Sequence, residues 1–418
     1  MYTIRQLTPR LLRLIGQFPA VVVTGARQVG KSTLLRHALP TWPMVVFDPT
    51  ADVENARQDP DLFLDNRPSP LILDEVQYVP ELTAALKRRI DQDRRPGQYV
   101  LTGSQQWGML RNLSESLAGR AVFLDLEGFS LAEIADPAPG PGWLQTWLED
   151  PGAIQRPDAP RLPLRAPLYE LLWRGTLPDA TTLPLDVVPD FQEAYLRTYV
   201  ERDVRLLANV SDWQLFGRVL RYCAALTAQE VNSSQLGREL GLSPQTSRRW
   251  LDMLLATFQW YEVPAWSTNA IKRISSRPKG YLSDTGMACV AQALSTPQVL
   301  GGHPLTGALF ETAIAAEIRK QCALLSPRPQ LHHWRAHSGP EVDLLLEVNG
   351  MLYPIEVKLK SHPSRQDTSG IAAFRAAYPK APIGPGLVIA PTERPIRLTE
   401  QDWAIPWDLS GPPRPKGA

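Results

Sequence analysis

The sequence predicts an α/β protein of several domains, and three stretches carry this prediction. Residues 21–35, VVVTGARQVGKSTLL, place an apolar strand before a loop between two glycines and the start of a helix. Residues 70–80, PLILDEVQYVP, form a second apolar run that ends in two acids. Residues 339–360 contain two apolar runs joined by Asn-Gly. A chain of 418 residues is too long for one ordinary core, so we expect separate domains.

The first stretch has the spacing of a phosphate-binding loop. Gly25 is followed by four residues and then by Gly30, Lys31, Ser32 and Thr33. The backbone N–H groups of such a loop point inward, and the helix that follows directs its positive end at an anion. We predict that Lys31 contacts the β- and γ-phosphates of ATP and that Ser32 offers its hydroxyl to Mg²⁺. The chain is therefore expected to bind a nucleoside triphosphate.

Two further strands supply polar groups that such a site needs. Asp74 and Glu75 follow the run Leu71–Leu73, at the end of the strand where open α/β sheets bind ligands. Asp74 is predicted to hold the Mg²⁺ shell, and Glu75 to polarise the attacking water. Ser104 ends a third strand, QYVLTGSQQ, and is predicted to sense the γ-phosphate and orient the water. A turn capped by hydroxyls is the alternative for Ser104.

Arg120 is the predicted arginine finger. It follows a short helix and Gly119, just before the alternating stretch AVFLDLEGF. An arginine at the end of that helix would lie at the rim of the subunit, where it would reach the γ-phosphate of a neighbour. We therefore expect a homo-oligomeric ring, with a hexamer favoured.

The order of these elements resembles the AAA+ ATPases. The segments LDEVQ, LTGSQ and LAGR are more closely similar to the bacterial and archaeal AAA+ ATPases that carry a C-terminal domain of unknown function 4143. Similar markers continue along nearly the whole chain: LLWRGTLPD at 171–179, AYLRTYVERDV at 194–204, PKGYLSDTGM at 278–287 and GALFETAIAAEI at 307–318. The family usually has a second glycine where Thr176 stands. The resemblance implies a P-loop AAA+ ATPase core with a helical lid.

The chain divides into five predicted regions. Residues 136–168 contain eight prolines, which indicate a linker or insertion and leave room for one short helix, at WLQTWLE. Apolar residues at helical spacing in DFQEAYLRTYVERDVRLL indicate the lid, where Arg202 and Arg205 are either nucleotide sensors or partners of nearby acids. The predicted regions are a nucleotide-binding core at 1–135, the linker at 136–168, the lid at 169–225, a winged helix at 226–290 and a nuclease-like domain at 291–418.

The fourth region has the pattern of a winged helix. Asn232 caps a short helix, Gly241 makes the turn, and Ser243 starts a longer helix. The strand WYEVPAW and a basic hairpin at residues 267–284 complete the predicted wing. Protein contact by the same fold is the alternative to DNA binding. The predicted phosphate contacts are Arg248, Arg249, Lys272 and Arg273, with Arg277 and Lys279 beside them in the wing.

The fifth region predicts a second chemical centre. Asp343 lies on the first strand of the hairpin formed around Asn-Gly, and Glu356 and Lys358, two residues apart on the second strand, share one face of the sheet. Two carboxylates and a lysine suit a divalent metal that activates water against a phosphodiester. This pattern resembles the PD-(D/E)xK nuclease fold, in which Glu311 of the preceding helix fits the role of a third acid. A solvated hairpin or an inactive relic is the alternative.

Composition constrains where the chain works and what it binds. The net charge of +1 creates no global field, so binding to DNA must come from local clusters of basic residues. Three widely spaced cysteines without a CxxC pair indicate a reducing compartment. No run approaches the roughly 20 apolar residues of a membrane span, and the N-terminal stretch lacks a signal-peptide pattern. We expect a cytoplasmic protein without membrane contact.

Together these features predict ATP hydrolysis coupled to the binding, translocation or remodelling of duplex DNA, with branched or broken DNA as the substrate. Two other functions stay open. One is a metal-dependent nuclease in which ATP only gates cleavage. The other is an ATP-switched scaffold that binds protein partners and keeps the hairpin inert.

Overall fold

A computed structural model of the chain describes residues 2–48, 53–104, 117–135, 142–198, 213–336 and 339–411. Three β-sheets with helices around them form the described part. The predicted lid residues Arg202 and Arg205 lie outside the described residues, as does the side chain of Lys272.

The nucleotide core is built on a parallel sheet of five strands. Its order is β2-β3-β4-β1-β5, so β4 separates β1 from β3 and all carboxyl ends meet at one edge. Strands β1, β3 and β4 are buried throughout, as their continuous apolar sequences predict for a parallel sheet. The strands are β1 Ala20–Thr24, β2 Met44–Val46, β3 Leu71–Asp74, β4 Tyr99–Gly103 and β5 Ala121–Asp125.

Seven described helices surround this sheet or follow it. Trp143 and Trp147, which lie in the proline-rich stretch, are buried in the largest apolar cluster of the described residues. The helices are α1 Thr8–Ile15, α2 Lys31–Ala38, α3 Val53–Gln58, α4 Pro60–Asp65, α5 Leu82–Gln92, α6 Leu131–Ala135 and α7 Trp143–Glu149.

A helical segment comes next, and its helices are α8 Leu168–Arg174, α9 Pro178–Thr182, α10 Val188–Thr198 and α11 Trp213–Ala225. The middle region, residues 213–291, then carries a small antiparallel sheet of order β6-β8-β7. Asn232 and Ser243 cap its two central helices, as predicted. The rest of the middle region is β6 Gln229–Glu230, α12 Ser233–Leu240, α13 Pro244–Ala256, β7 Trp260–Val263, α14 Ala270–Ser275, β8 Lys279–Leu282 and α15 Thr285–Ala291.

The predicted wing differs in one respect from the structure. Strands β7 and β8 pair as a hairpin, but the short helix α14 lies in the connection between them. The sequence stretch that we interpreted as strand contains Ala270–Ser275, where Ile271 and Ile274 are strongly exposed.

The C-terminal domain contains a mixed sheet of order β13-β14-β12-β11-β10-β9. Strands β10 and β11 form the predicted antiparallel hairpin, with Asn349 and Gly350 in the left-handed conformation that a two-residue turn requires. The elements are α16 Thr306–Leu324, β9 Gln330–Arg335, β10 Glu341–Val348, β11 Met351–Val357, α17 Ser369–Ala377, β12 Gly386–Ala390, β13 Ile396–Arg397 and β14 Asp402–Pro406.

Helix α16 joins the C-terminal domain to the nucleotide core. Near its C-terminal end, Glu317 accepts a hydrogen bond from the backbone N–H of Leu131, and the Lys320 ammonium donates to the carbonyl of Phe129. The apolar core is continuous across this junction. Within the described residues, no helix has the length and apolar character needed to cross a membrane.

Candidate functional site

The loop after β1 has the backbone geometry that an anion-binding loop needs. Gly25 adopts φ +149°, and a Cβ atom there would lie 2.0 Å from the carbonyl oxygen of Leu126. Gly30 adopts φ +90° and is the residue from which α2 begins. Both positions therefore require glycine, for close backbone approach and for a left-handed turn respectively.

Lys31 lies inside this loop. Its ammonium donates hydrogen bonds to the carbonyl oxygens of Gly25 at 2.9 Å and of Ala26 at 2.8 Å, and the side chain is almost fully buried. The loop thus surrounds a positive charge with its own backbone. Thr33, one turn into the helix, is exposed.

Ser32 and Asp74 meet across the sheet. The Ser32 hydroxyl donates to Asp74 Oδ2 at 2.7 Å, and the hydroxyl of Thr102 on β4 donates to Asp74 Oδ1. Strand order explains the contact, because β4 bridges the gap between the loop after β1 and the end of β3. A hydroxyl and a buried carboxylate in contact offer the oxygen ligands that Mg²⁺ takes, so these residues fit the ion.

Glu75 is turned by a strained backbone. Glu75 follows directly after β3, and its φ of +59° is unusual for a residue with a side chain. Its backbone N–H donates to the Thr102 hydroxyl at 2.9 Å, while Gln77 donates to its carboxylate. Ser104 lies 3.4 Å from the same carboxylate oxygen, so the structure places Ser104 beside Glu75. Thr102 therefore positions both acids, a role that the sequence does not show.

Arg5 supports the loop and was not identified from the sequence. Its guanidinium donates to the carbonyl oxygens of Val29 at 2.7 Å and Glu127 at 2.6 Å, and it pairs with Glu133 at 3.1 Å. It lies next to Gly30, where a Cβ atom would be 3.7 Å from its Nη1. The sequence around Arg5 gives no signal that this side chain is buried.

Two of the sequence markers meet beside this loop. Asp284, in the marker at 278–287, accepts a hydrogen bond from the Thr176 backbone N–H at 2.6 Å and caps α15. Pro178, in the marker at 171–179, lies 4.0 Å from the position of a Cβ atom on Gly30. The markers thus connect the helical segment, the middle region and the phosphate-binding loop.

Arg120 lies at the opposite edge of the sheet from the loop. Its carbonyl accepts from the backbone N–H of Ala20, at the start of β1, whereas the loop follows the end of β1. Its guanidinium makes two hydrogen bonds to Asp91, at 2.5 and 2.9 Å, which lower the pKa of that carboxyl below its usual range. Arg120 therefore lies too far from the loop to contact a nucleotide bound by its own subunit, and its role as a finger for a neighbour stays a prediction.

The hairpin of the C-terminal domain brings three predicted residues together. Asp343 Oδ2 accepts hydrogen bonds from the backbone N–H of Val357 at 2.9 Å and from the Lys358 ammonium at 3.1 Å. Lys358 also lies 2.7 Å from Glu356 Oε2. Burial and the charge of Asp343 raise the pKa of Glu356, while two lysines hold the pKa of Asp343 low despite its burial.

Glu311 is close to this group but is separated from it by a lysine. Lys279 Nζ lies 2.6 Å from Glu311 Oε1 and 3.2 Å from Asp343 Oδ1, and Tyr281 donates to Glu311 at 2.8 Å. Burial raises the pKa of Glu311 to about 7. Among the described residues, no three His, Cys, Asp or Glu side chains are grouped so that they could hold a metal ion. The predicted metal set of Asp343, Glu356 and Glu311 is therefore not assembled.

The predicted DNA contacts divide into exposed and buried residues. Arg248 is exposed and pairs with Asp252 at 3.0 Å, and Arg249 is exposed without an ion pair to any described residue. Arg273 instead faces the C-terminal domain, where it pairs with Glu347 at 3.0 Å and lies over the ring of Trp266. Lys279, which we expected among the wing contacts, is buried. The burial of Lys279 contradicts its predicted contact with DNA, whereas contact of Arg273 with DNA stays a prediction.

Comparisons with known families cover most of the chain. Residues 17–135 match an AAA domain, residues 165–298 match a domain of unknown function (DUF8612), and residues 306–409 match another, DUF4143. The uncharacterized protein Rv2008c of Mycobacterium tuberculosis is 27% identical over 405 residues, which cover 97% of this chain and 83% of that protein.

Two solved structures resemble parts of the chain. The Walker-type ATPase PABY2304 of Pyrococcus abyssi is 15% identical, and the match covers 70% of this chain and 96% of that one with a TM-score of 0.42. The RuvB Holliday junction branch migration motor of Thermotoga maritima is 15% identical, with 62% of this chain and 89% of that one covered and a TM-score of 0.30.

Proposed function

Because the chain is an AAA-type ATPase with a C-terminal DUF4143 domain, we propose that it hydrolyses ATP with Mg²⁺ and couples hydrolysis to work on duplex DNA. The observation that carries the ATPase part is the set of contacts between Ser32, Asp74, Thr102 and Glu75 at one sheet edge. These hydrogen bonds form one connected network from Ser32 in the phosphate-binding loop to Glu75, the predicted base.

The residues at this edge of the sheet have different roles in ATP hydrolysis. Lys31 binds the β- and γ-phosphate oxygens by exchanging its hydrogen bonds to the loop carbonyls for bonds to the nucleotide. Ser32 and Asp74 would hold Mg²⁺, which neutralises charge that develops on the phosphates. Arg5 keeps the loop in position through the Val29 carbonyl.

Glu75 acts as the base. Its carboxylate orients a water molecule and accepts a proton from it as the water attacks the γ-phosphate. Gln77 and Ser104 hold the carboxylate from one side, and Thr102 fixes the backbone that carries it. A base held in this way loses little orientational freedom before the reaction.

The middle region supports the DNA part of the proposal. Helix α11, strand β6, helices α12 and α13, and strands β7 and β8 follow in the order of a winged helix. Arg248 and Arg249 are exposed in the first half of α13, the element that meets a duplex in such folds. Because the chain is almost neutral, attraction to phosphates must come from these local charges.

A second candidate function is an ATP-gated nuclease. The C-terminal domain runs α16, β9, β10, β11, α17, β12, and its hairpin brings Asp343, Glu356 and Lys358 into contact. This arrangement favours a nuclease-like ancestry for the domain. Incubation of plasmid DNA with the chain and Mg²⁺ separates this function from remodelling without cleavage.

Replacement of both Arg248 and Arg249 by Ala tests the DNA part. We expect weaker duplex binding by a similar factor for unrelated sequences, and a slope of log K against log salt that falls by about 0.9 for each lost phosphate contact. ATP hydrolysis without DNA should stay unchanged, because these residues make no hydrogen bond or ion pair to the nucleotide core within the described residues.

The matched control removes the same number of positive charges from a different part of the chain. Arg88 and Arg95 are exposed arginines of the nucleotide core, and their double replacement by Ala should leave the salt slope intact. If the Arg248 and Arg249 variant binds duplex with the parent's affinity and slope, α13 is not the DNA contact and the scaffold function takes precedence.

A further inference from the structure

Lys279 is the most unexpected residue of the C-terminal centre, which we define as Glu311, Asp343, Glu356, Lys358 and Lys279. It begins β8 in the middle region, whereas the other four belong to the C-terminal domain. Tyr281 lies two residues further along β8, so both side chains leave the strand on the same face and reach Glu311. The middle region is thus attached to the C-terminal domain by a buried cation.

The contacts of Asp343 show how this cation is used. One carboxylate oxygen, Oδ1, lies 3.2 Å from the Lys279 ammonium, and the other, Oδ2, accepts from Lys358 and from the Val357 backbone. On its other side, Lys279 lies 2.6 Å from Glu311. The ammonium is therefore held between one carboxylate from α16 and one from β10.

A divalent metal would need the same oxygens. Mg²⁺ and Mn²⁺ take carboxylate oxygens as ligands, for Mg²⁺ at about 2.0–2.1 Å. A cation bound to both Glu311 Oε1 and Asp343 Oδ1 cannot share them with an ammonium in the same place. Removal of Lys279 would leave two buried carboxylate oxygens without a positive neighbour on that side, a condition that strongly favours another cation.

We propose that Lys279 is a built-in cation of the C-terminal centre, that it occupies the place of a divalent metal between Glu311 and Asp343, and that it excludes the metal while the middle region stays docked. In this arrangement the ion pairs of Lys279 hold the middle region against the C-terminal domain. A metal enters only when β8 withdraws Lys279. This inference does not depend on ATP hydrolysis or on DNA binding by α13.

Binding of Mn²⁺ to the full chain without nucleotide tests the proposal, with electron paramagnetic resonance as the measurement. We expect Lys279→Met to gain one Mn²⁺ site that depends on Asp343. The affinity of this site for Mn²⁺ should be at least tenfold higher than that of any Asp343-dependent site in the wild-type chain. The gained site should disappear in the double variant Lys279→Met, Asp343→Asn. ATP turnover of Lys279→Met should remain within twofold of wild type, because the ion-pair partners of Lys279 in the described part of the chain are Glu311 and Asp343, outside the nucleotide site.

Two further variants make the result specific. Lys279→Gln keeps a hydrogen-bond donor for Glu311 and replaces Lys279→Met if the latter does not fold, as judged by circular dichroism. Lys360→Met removes an ammonium that pairs with Asp367 outside the C-terminal centre and should gain no Mn²⁺ site. A site in Lys360→Met would show that loss of any lysine produces the effect.

Two outcomes overturn the proposal. One is a folded Lys279 variant that gains no Mn²⁺ site. The other is a stoichiometric Mn²⁺ site in the wild-type chain that is lost in Glu311→Gln. This second outcome can be tested even if the Lys279 variants do not fold. Either result would leave Lys279 as an ordinary buried ion pair, whether or not the chain hydrolyses ATP.

Discussion

The nucleotide site and the C-terminal centre both place buried carboxylates beside lysine, but they use the lysine differently. In the nucleotide site Asp74 accepts hydrogen bonds from hydroxyl groups, and Lys31 is held by backbone carbonyls. In the C-terminal centre Asp343 accepts hydrogen bonds directly from two ammonium groups. The first arrangement thus places hydroxyl groups on the acid and backbone carbonyls on the lysine, whereas the second joins its acids directly to ammonium groups.

The position of each centre in its sheet accounts for this difference. The nucleotide site lies where parallel strands end, an edge that is open to a ligand in α/β folds. The C-terminal centre lies within the β10–β11 hairpin, and α16 and β8 cover it. Residue types alone do not separate the two cases, since both combine acids with lysine.

The largest effect that we predict concerns Arg120, the arginine expected to reach the nucleotide site from a neighbouring subunit. If Arg120 acts on a neighbour, Arg120→Ala should bind ATP normally but hydrolyse it at least about 10³-fold more slowly, because the transition state loses a cation. Mixing these subunits with Lys31→Ala subunits should restore part of the activity at hybrid interfaces. Steady-state turnover and nucleotide binding measure both expectations.

Asp91 offers a matched control for Arg120. Asp91→Ala breaks the ion pair seen within the subunit but leaves the arginine available to a neighbour. Turnover should then stay close to wild type or increase. If Asp91→Ala lowers turnover as much as Arg120→Ala does, the pair is structural, and the nucleotide site would resemble the C-terminal centre in keeping its charges within one subunit.

Glu75→Gln should give the next largest effect. The variant keeps the phosphate-binding loop and should bind ATP, yet turnover should fall by about 10²–10⁴-fold because the water loses its base. Glu81→Gln, an exposed residue just beyond the same strand, is the control and should hydrolyse ATP at the parent rate. Equal turnover of Glu75→Gln and the parent would exclude Glu75 from the mechanism.

Local sequence patterns predicted the elements of both centres correctly. The strand, glycine and helix sequence at residues 20–38, the acids at the end of β3, and the Asn-Gly turn between β10 and β11 are all present. Each depends on neighbours within a few residues, because backbone conformation and strand alternation are local properties. The AAA and DUF4143 matches confirm the family resemblance.

The contacts that the sequence did not indicate join distant segments. Lys279 and Arg273 lie in a stretch rich in basic residues, which predicted a solvated DNA-binding wing. Their partners Asp343 and Glu347 are 64 and 74 residues further along the chain. Burial of a charged side chain depends on which domain packs over it, and the composition of the stretch does not contain that information. Arg5 was missed for the same reason, since its partners include Glu133.

The smallest effect that we predict is on stability, and it compares one acid from each centre. Asp343→Asn leaves the buried Lys279 ammonium and the half-buried Lys358 ammonium with one anionic partner fewer, so it should lower the free energy of unfolding by about 3 kcal/mol. Asp74→Asn keeps an acceptor for one of the two hydroxyls, Ser32 or Thr102, and takes no partner from a buried ammonium, so it should cost only about 1 kcal/mol. Urea unfolding followed by circular dichroism measures both variants.

Turnover should show the reverse order. Asp74→Asn should abolish most ATP hydrolysis, because the carboxylate that would hold Mg²⁺ is lost, whereas Asp343→Asn should retain hydrolysis at temperatures where it is folded. This opposite ranking follows from the contacts, since Asp343 binds cations that are part of the protein and Asp74 binds groups that leave it free to take a metal. Equal losses of stability in the two variants would show that the ammonium contacts of Asp343 contribute no more than hydroxyl contacts, and the distinction between the two centres would not hold.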